Sequence, residues 1–126
     1  MPASVIKNEN MPGPLGPYSH AVAASGELVF ISGQPGLDPA TGDVPAQFEQ
    51  QARNAFENLS RVVTAAGLQM ADVVKTTVYL ADASQFDVLN ALFGEYFPTS
   101  PPTRATPIVQ LPKGLLISIE AIAVRD

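Results

Sequence analysis

The chain ends in an apolar run, residues 115–124, that reads Leu-Leu-Ile-Ser-Ile-Glu-Ala-Ile-Ala-Val. A run of this kind predicts a β-strand with both faces buried, and the segment Leu28-Val29-Phe30-Ile31 has the same character. Glu120 is the charged residue of the run, and a carboxylate among apolar neighbours is costly unless it is paired or hydrogen-bonded. Three roles stay open for it: a structural ion pair, a solvent-facing strand end, or a pocket carboxylate that holds or deprotonates water.

A long amphipathic helix is the clearest element outside this strand. Apolar residues recur with a period of 3.6 from about Ala46 to Ala66, and Gly67 is suited to end the helix. A second helix is predicted to begin at Asp82 or Ser84 and to end at Pro98.

Further strands are predicted around the two helices. The pattern indicates strands at 4–7, 72–80 and 103–110, and Pro107 marks the last of these as an edge or a bulge. Residues 18–24 and 27–32 are predicted to form a hairpin that turns at Ser25-Gly26.

The order of elements indicates an α+β fold, with both helices on one face of a single mixed sheet. Two helices cover only one face, whereas the two apolar strands require burial on both. We therefore expect the other face to meet copies of the same chain in a closed homo-oligomer.

Composition excludes several classes of protein. The 126 residues fit one domain, residues 1–126, and contain no cysteine, so disulfides, Cys-based zinc sites and thiol nucleophiles are excluded. The net charge is −5, and no two of the seven Lys and Arg residues are adjacent, which argues against nucleic acid as a partner. The sequence has no run near the roughly 20 apolar residues of a membrane span and no signal-peptide pattern, so we expect a soluble cytoplasmic protein.

Arg104 is the second residue that suggests chemistry, because its neighbours from Pro101 to Pro107 are uncharged. Its planar guanidinium matches a carboxylate, although it could equally form a structural pair with Glu120 or another acid. His20, the one histidine, lacks the partners of a catalytic triad and is interpreted as a structural or rim residue. Lys75 lies in an apolar strand, but a solvated strand position is favoured over a Schiff base. No cluster of His and carboxylates indicates a metal site.

Several segments in order resemble the reactive-intermediate deaminase family, also called RidA or YjgF-type. The resemblance covers nearly the whole chain, and it is carried by residues 15–21, 31–35, 39–42, 74–80, 102–104 and 111–123. It implies a chorismate-mutase-like fold that assembles as a homotrimer, with sites at subunit interfaces and no cofactor. The implied reaction is hydrolysis of enamines and imines, such as 2-aminoacrylate and 2-aminocrotonate, to 2-keto acids and ammonia.

The resemblance also implies roles for individual residues. Arg104 would clamp the substrate carboxylate, Glu120 would orient or activate the attacking water, and Tyr18 would line the site through its hydroxyl. The remaining substrate-binding positions are Ser32, Gly33, Asn90 and Thr106. Thr106 stands where many members of the family have cysteine, so only its backbone N–H is expected to contribute. His20, at a position where glutamine is expected, and Pro107 are two further departures that would reshape the rim.

Two alternatives remain beside an enzyme of this kind. The chain could be a non-catalytic module in which Arg104 holds small acids for regulation. It could also be an endoribonuclease or translation inhibitor, a label attached to some members of the family, although its net charge argues against that role.

Overall fold

The structure is a computed structural model and describes residues 3–126. Its regular elements, in chain order, are β1 (Ala3–Ile6), β2 (Ala21–Ala24), β3 (Glu27–Pro35), α1 (Phe48–Ala65), β4 (Val73–Leu80), α2 (Phe86–Tyr96), β5 (Thr103–Ala105) and β6 (Ile117–Arg125). Short 3₁₀ turns, Met70–Asp72 and Ala83–Gln85, precede β4 and α2. The α+β class is confirmed.

A four-stranded mixed sheet forms the centre of the fold, in the order β3-β6-β4-β5. The strand β6 pairs antiparallel with β3 on one side and with β4 on the other, while β4 and β5 are parallel. The apolar run at the end of the chain is therefore an inner strand, as its composition predicts.

The predicted hairpin between residues 18–24 and 27–32 is wrong, and so is the single sheet. The strand β2 pairs with β1 in a separate two-stranded ladder, whereas β3 joins the central sheet. Between β2 and β3, Gly26 has a φ of +126°, and its backbone packs against the carbonyl of Arg125 at the end of β6. Glycine tolerates this conformation, so the chain crosses from the ladder to the sheet instead of folding back.

The helix α1 forms as the periodicity predicts and packs on the sheet. Its buried apolar residues, listed along the chain, are Phe48, Ala52, Ala55, Phe56, Leu59 and Val63. The helix ends two residues before Gly67, which has a φ of +77°. Gly67 N–H bonds to the Thr64 carbonyl, and Leu68 N–H bonds to the Val63 carbonyl. These two bonds are the Schellman arrangement that satisfies the last carbonyls of a helix.

The second helix, α2, packs beside α1 through aromatic residues. The ring of Phe56 stacks on Tyr96 with centroids 4.9 Å apart and meets the edge of Phe93 at 6.2 Å. Asp82, one of the two residues expected to begin this helix, instead caps the 3₁₀ turn before it by accepting from Ser84 N–H at 2.8 Å. The main-chain bond from Ser84 lowers the pKa of the Asp82 carboxyl.

The strand near 103–110 is shorter than predicted, because only Thr103–Ala105 form β5 and an isolated bridge joins Leu80 to Ile108. Its place at the edge of the sheet agrees with the presence of Pro107, since proline cannot donate to a ladder.

The face of the central sheet that points away from the helices is open in the single chain. On it Phe30 is 72% exposed and Leu28 is 51% exposed. Within residues 3–126, no helix is both long and apolar enough to cross a membrane.

The contact between Tyr96 and Glu57 predicts a specific loss of stability at alkaline pH. Burial, followed by the hydrogen bond from its hydroxyl to Glu57, raises the pKa of Tyr96 from 10.0 to about 12. The phenol ionises at a lower pH in the unfolded chain than in the folded one. Its contribution to the free energy of unfolding is therefore present below pH 10 and is lost as the pH rises toward 12. Between these pH values, the free energy of unfolding should fall more for the wild type than for Tyr96→Phe, measured by denaturant titration. Equal losses would contradict the prediction.

Candidate active site

Most of the residues singled out in the sequence lie in two groups, which also contain neighbours that the sequence did not single out. The first, here called the arginine cluster, consists of Gly16, Tyr18, Asn90, Arg104 and Thr106. The second, here called the glutamate face, consists of Ser32, Lys75, Thr77, Tyr79 and Glu120.

In the arginine cluster, the guanidinium of Arg104 has a free outer edge. Its Nε donates to the Thr106 hydroxyl at 2.9 Å. Its Nη1 and Nη2 atoms are buried and have no hydrogen-bond partner among the described residues. The carbonyl oxygen of the Asn90 side chain is buried and equally unpartnered. Buried donors of a charged group normally have partners, so this edge is a candidate position for an anion, and a carboxylate would match it in a two-pronged geometry.

Aromatic rings hold the guanidinium in place. Its Cζ lies 4.6 Å from the ring centroid of Tyr18, 5.0 Å from that of Phe93 and 5.3 Å from that of Phe86. Cation–π contacts of this kind partly compensate a charge that has left water. Burial lowers the pKa of Arg104, and the neighbouring Tyr18 opposes the change. A guanidinium still carries its charge at neutral pH, because its ordinary pKa lies so far above 7.

The segment that carries Tyr18 is tied to the start of β5. Ser19 N–H bonds to the Pro102 carbonyl at 3.0 Å, and the Ser19 hydroxyl donates to the Pro101 carbonyl at 2.6 Å. The Tyr18 hydroxyl accepts from Leu15 N–H at 3.2 Å. The ring of Tyr18, rather than its hydroxyl, is therefore the part that meets Arg104.

The glutamate face lies beside the exposed apolar residues of β3. Glu120 lines a cavity of about 290 Å³ together with Phe30, Ser32, Lys75 and Ile122. The Tyr79 hydroxyl donates to Glu120 Oε1 at 2.7 Å, and this bond raises the pKa of Tyr79, assisted by burial. Lys75 is exposed, as predicted, and its Nζ donates to the Thr77 hydroxyl at 3.1 Å.

Ser32 and Gly33 lie at an irregularity in the pairing of β3 with β6, between Ile31 and Gln34. At Gly33 a Cβ atom would lie 2.6 Å from the Ser118 hydroxyl, so a larger residue would require that side chain to move. The irregularity brings Ser32 to the cavity that Glu120 lines.

Arg104 and Glu120 of one chain lie on opposite faces of the sheet. Arg104 is in register with Thr76, and Glu120 is in register with Thr77. Successive residues of a strand point to opposite faces, while partners in register point to the same face. Thr76 is buried on the side of the helices, and Arg104 accordingly meets Phe86 and Phe93 of α2. The structure brings Tyr18, Asn90 and Thr106 to Arg104 and Ser32 to Glu120, and it separates the two groups.

His20 is exposed, and its Nε2 lies 2.7 Å from the Pro12 carbonyl, outside both groups. Among residues 3–126, the structure contains no cluster of three His, Asp or Glu side chains that could hold a metal ion. Sequence reasoning missed the contacts of Phe86 with Arg104 and of Tyr79 with Glu120. Strand alternation could have placed Tyr79 on the same face as Thr77, but only the register of β4 against β6 reveals that Glu120 lies there too.

The structure is a small α+β protein in which a buried guanidinium lacks partners, among the described residues, for two of its nitrogens. Residues 8–125 match the family model described as Endoribonuclease L-PSP. A RutC family protein of Pyrococcus horikoshii is 45% identical over 124 residues, with 97% of this chain and 98% of that protein covered. A 2-iminobutanoate/2-iminopropanoate deaminase of Escherichia coli K12 is 40% identical, with 98% of each chain covered.

Solved structures agree with these relatives. The crystal structure of E. coli TdcF with bound serine superposes with a TM-score of 0.76 at 38% identity, and the match covers 98% of this chain and 99% of that one. The chain therefore belongs to the YjgF/RidA family, in which relatives at about 40% identity are named reactive intermediate deaminases.

A methyl group at Gly16 should disturb the arginine cluster. A Cβ there would lie 3.0 Å from Arg104 Nη2 and would collide with the Asn90 side-chain carbonyl. We expect Gly16→Ala to lower the free energy of unfolding by about 1–3 kcal/mol, the usual cost of overpacking. Gly13→Ala is the matched control, because a Cβ there meets nothing within 4 Å. Chemical denaturation of both variants checks this, and an equal effect of the two would contradict it.

Proposed function

We propose that this protein hydrolyses small imines that carry a carboxylate, formed from enamines such as 2-aminoacrylate and 2-aminocrotonate, to 2-keto acids and ammonia. Such species leak from pyridoxal-phosphate-dependent dehydratases, so the cytoplasm is the proposed place of action. The observation that carries the proposal is the free edge of Arg104, where two buried donors await an anion. The names of relatives at about 40% identity support the same reaction.

Arg104 would grip the substrate carboxylate and so fix the orientation of the reacting carbon. Asn90 and the backbone N–H of Thr106 would contact the substrate beside it, as would the segment of Ser32 and Gly33. This role of Thr106 needs no thiol. The aromatic rings around Arg104 would limit the access of water to the ion pair, which strengthens it.

The enamine first tautomerises to an imine, whose carbon is electrophilic. Water held by Glu120 adds to that carbon, and its proton passes to the carboxylate as the new C–O bond forms. Glu120 then returns its proton to the nitrogen of the carbinolamine, and the hydroxyl loses its proton as the C=O bond forms and the C–N bond breaks, so ammonia leaves, the keto acid remains and Glu120 is again a carboxylate. Imines also hydrolyse slowly in water alone, so positioning and a general base, worth about 10²–10⁴-fold, are sufficient.

A site that uses both Arg104 and Glu120 requires a second copy of the chain, because within one chain they lie on opposite faces of the sheet. We therefore propose a homotrimer in which the open face is covered by neighbouring protomers. The exposure of Phe30, at 72%, supports this assembly, since isolated proteins rarely leave a large apolar side chain in a continuous patch.

Two other functions have an observation in their favour. The description of the matching family names an endoribonuclease, but the net charge of −5 is unfavourable for RNA. The bound serine in the TdcF structure is consistent with a module that only binds amino acids. Turnover that depends on Glu120 distinguishes the enzyme from the binding module, which never shows turnover.

Steady-state kinetics of site variants test the proposal. Imines are generated from a hydroxyamino acid by a dehydratase, and release of keto acid is timed with and without the protein. We expect Arg104→Ala to lower kcat/KM by about 10²-fold or more through loss of two charge-assisted hydrogen bonds. Arg104→Lys should recover little of the lost kcat/KM, because lysine keeps the positive charge but lacks the planar group that donates two parallel hydrogen bonds to a carboxylate. Glu120→Gln should lower kcat by about 10²–10⁴-fold. No acceleration by the wild type would refute the proposal.

Mixed assemblies test whether the site is shared between protomers. Arg104→Ala and Glu120→Gln chains carrying different tags are co-expressed, and assemblies that contain both tags are purified. Each variant alone should be inactive, while mixed assemblies should regain activity because some boundaries combine an intact arginine with an intact glutamate. Inactive mixed assemblies would contradict a shared site.

A further inference from the structure

The Tyr79 hydroxyl donates to Glu120 Oε1 at 2.7 Å on the open face of the sheet. We propose that Tyr79 is a positioning residue that holds the Glu120 carboxylate in the orientation needed to present water to the substrate. This inference rests on the proposed function, and it adds a residue that the sequence did not single out for chemistry.

The strand pairing places the phenol beside the carboxylate. Glu120 faces Thr77 across the ladder of β4 and β6, and Tyr79 faces Ser118, so Tyr79 is the diagonal neighbour of Glu120 on one face. Diagonal neighbours in a sheet are within reach of an aromatic side chain. Both residues are half-buried and belong to inner strands, so the hydrogen bond joins two fixed parts of the backbone.

The bond uses only one of the two carboxylate oxygens. Among residues 3–126, Oε2 of Glu120 accepts no hydrogen bond and is free to take one from water. The apolar side chains of Phe30 and Ile122 line the same cavity and offer the carboxylate no polar partner. Ser32 and Lys75 also line the cavity, but among residues 3–126 neither donates to Glu120, so without the phenol only packing would oppose rotation of the glutamate side chain.

A neutral donor suits a group that must accept a proton. Lys75 also lines the cavity, but its ammonium donates to the Thr77 hydroxyl and forms no ion pair with Glu120. A close ammonium would stabilise the charged carboxylate strongly and weaken it as a base. The phenol instead keeps its own proton, because the carboxylate beside it raises the pKa of Tyr79. The carboxylate is thus held in place and stays available to water.

Tyr79→Phe tests the inference, because it removes the hydroxyl and keeps the ring. We expect kcat to fall about 10-fold or more, the size of a hydrogen bond to a charged group, with KM changed less than about twofold. Tyr96→Phe is the matched control, since it removes the other Tyr-to-Glu hydrogen bond, on the helical layer, and should leave kcat unchanged. The melting temperatures of both variants show whether a decrease in kcat is caused by unfolding.

The double variant Tyr79→Phe/Glu120→Gln separates positioning from a general structural role. If Tyr79 acts through Glu120, the double variant should have the kcat of Glu120→Gln alone, since the two effects are not additive. If the wild type is active and Tyr79→Phe keeps the full kcat, this inference is overturned and the proposed function is left intact. The same holds if the losses of kcat in the two single variants add up in the double variant. A wild type without turnover would overturn both.

Discussion

Alternation along a β-strand is the constraint on which the site depends. Thr76 and Thr77 are consecutive in β4, so their partners in register, Arg104 and Glu120, leave the sheet on opposite faces. With adjacent strands about 4.8 Å apart, β5 and β6 are separated by roughly 10 Å across β4. No rotamer change brings the two groups together inside one chain. A catalytic centre that uses both is a property of an assembly, and the open sheet face is where a neighbour would complete it.

The arginine is held in buried surroundings that disfavour its charge and cost the fold stability. Its faces contact Tyr18, Phe86 and Phe93, its Nε is bonded to Thr106, and its outer nitrogens are bonded to nothing among the described residues. Unsatisfied buried donors are destabilising, and they become favourable only when an anion arrives. Under the proposed function, part of the binding free energy would come from a carboxylate that supplies the partners these donors lack.

The sequence predicts the parts of this fold that are determined locally. The apolar face of α1 and the end of the helix before Gly67 follow from residues within a few turns of each other. Arg104 and Glu120 can be recognised in the sequence because each is a charged residue among uncharged neighbours. The hairpin prediction at Ser25-Gly26 was wrong because turn chemistry indicates a change of direction, not a pairing partner. The contact of Tyr79 with Glu120 joins residues 41 apart in the sequence and depends on the register of β4 against β6, which no local pattern encodes.

Thr106 has a consequence for the environment in which this protein keeps working. Its hydroxyl accepts a hydrogen bond from the inner nitrogen of the guanidinium, and the chain contains no cysteine at any position. Peroxides, disulfides and alkylating agents attack thiolates and leave hydroxyls unchanged. Such reagents would therefore find no thiol in this chain to modify, and the bond between Thr106 and Arg104 would survive them.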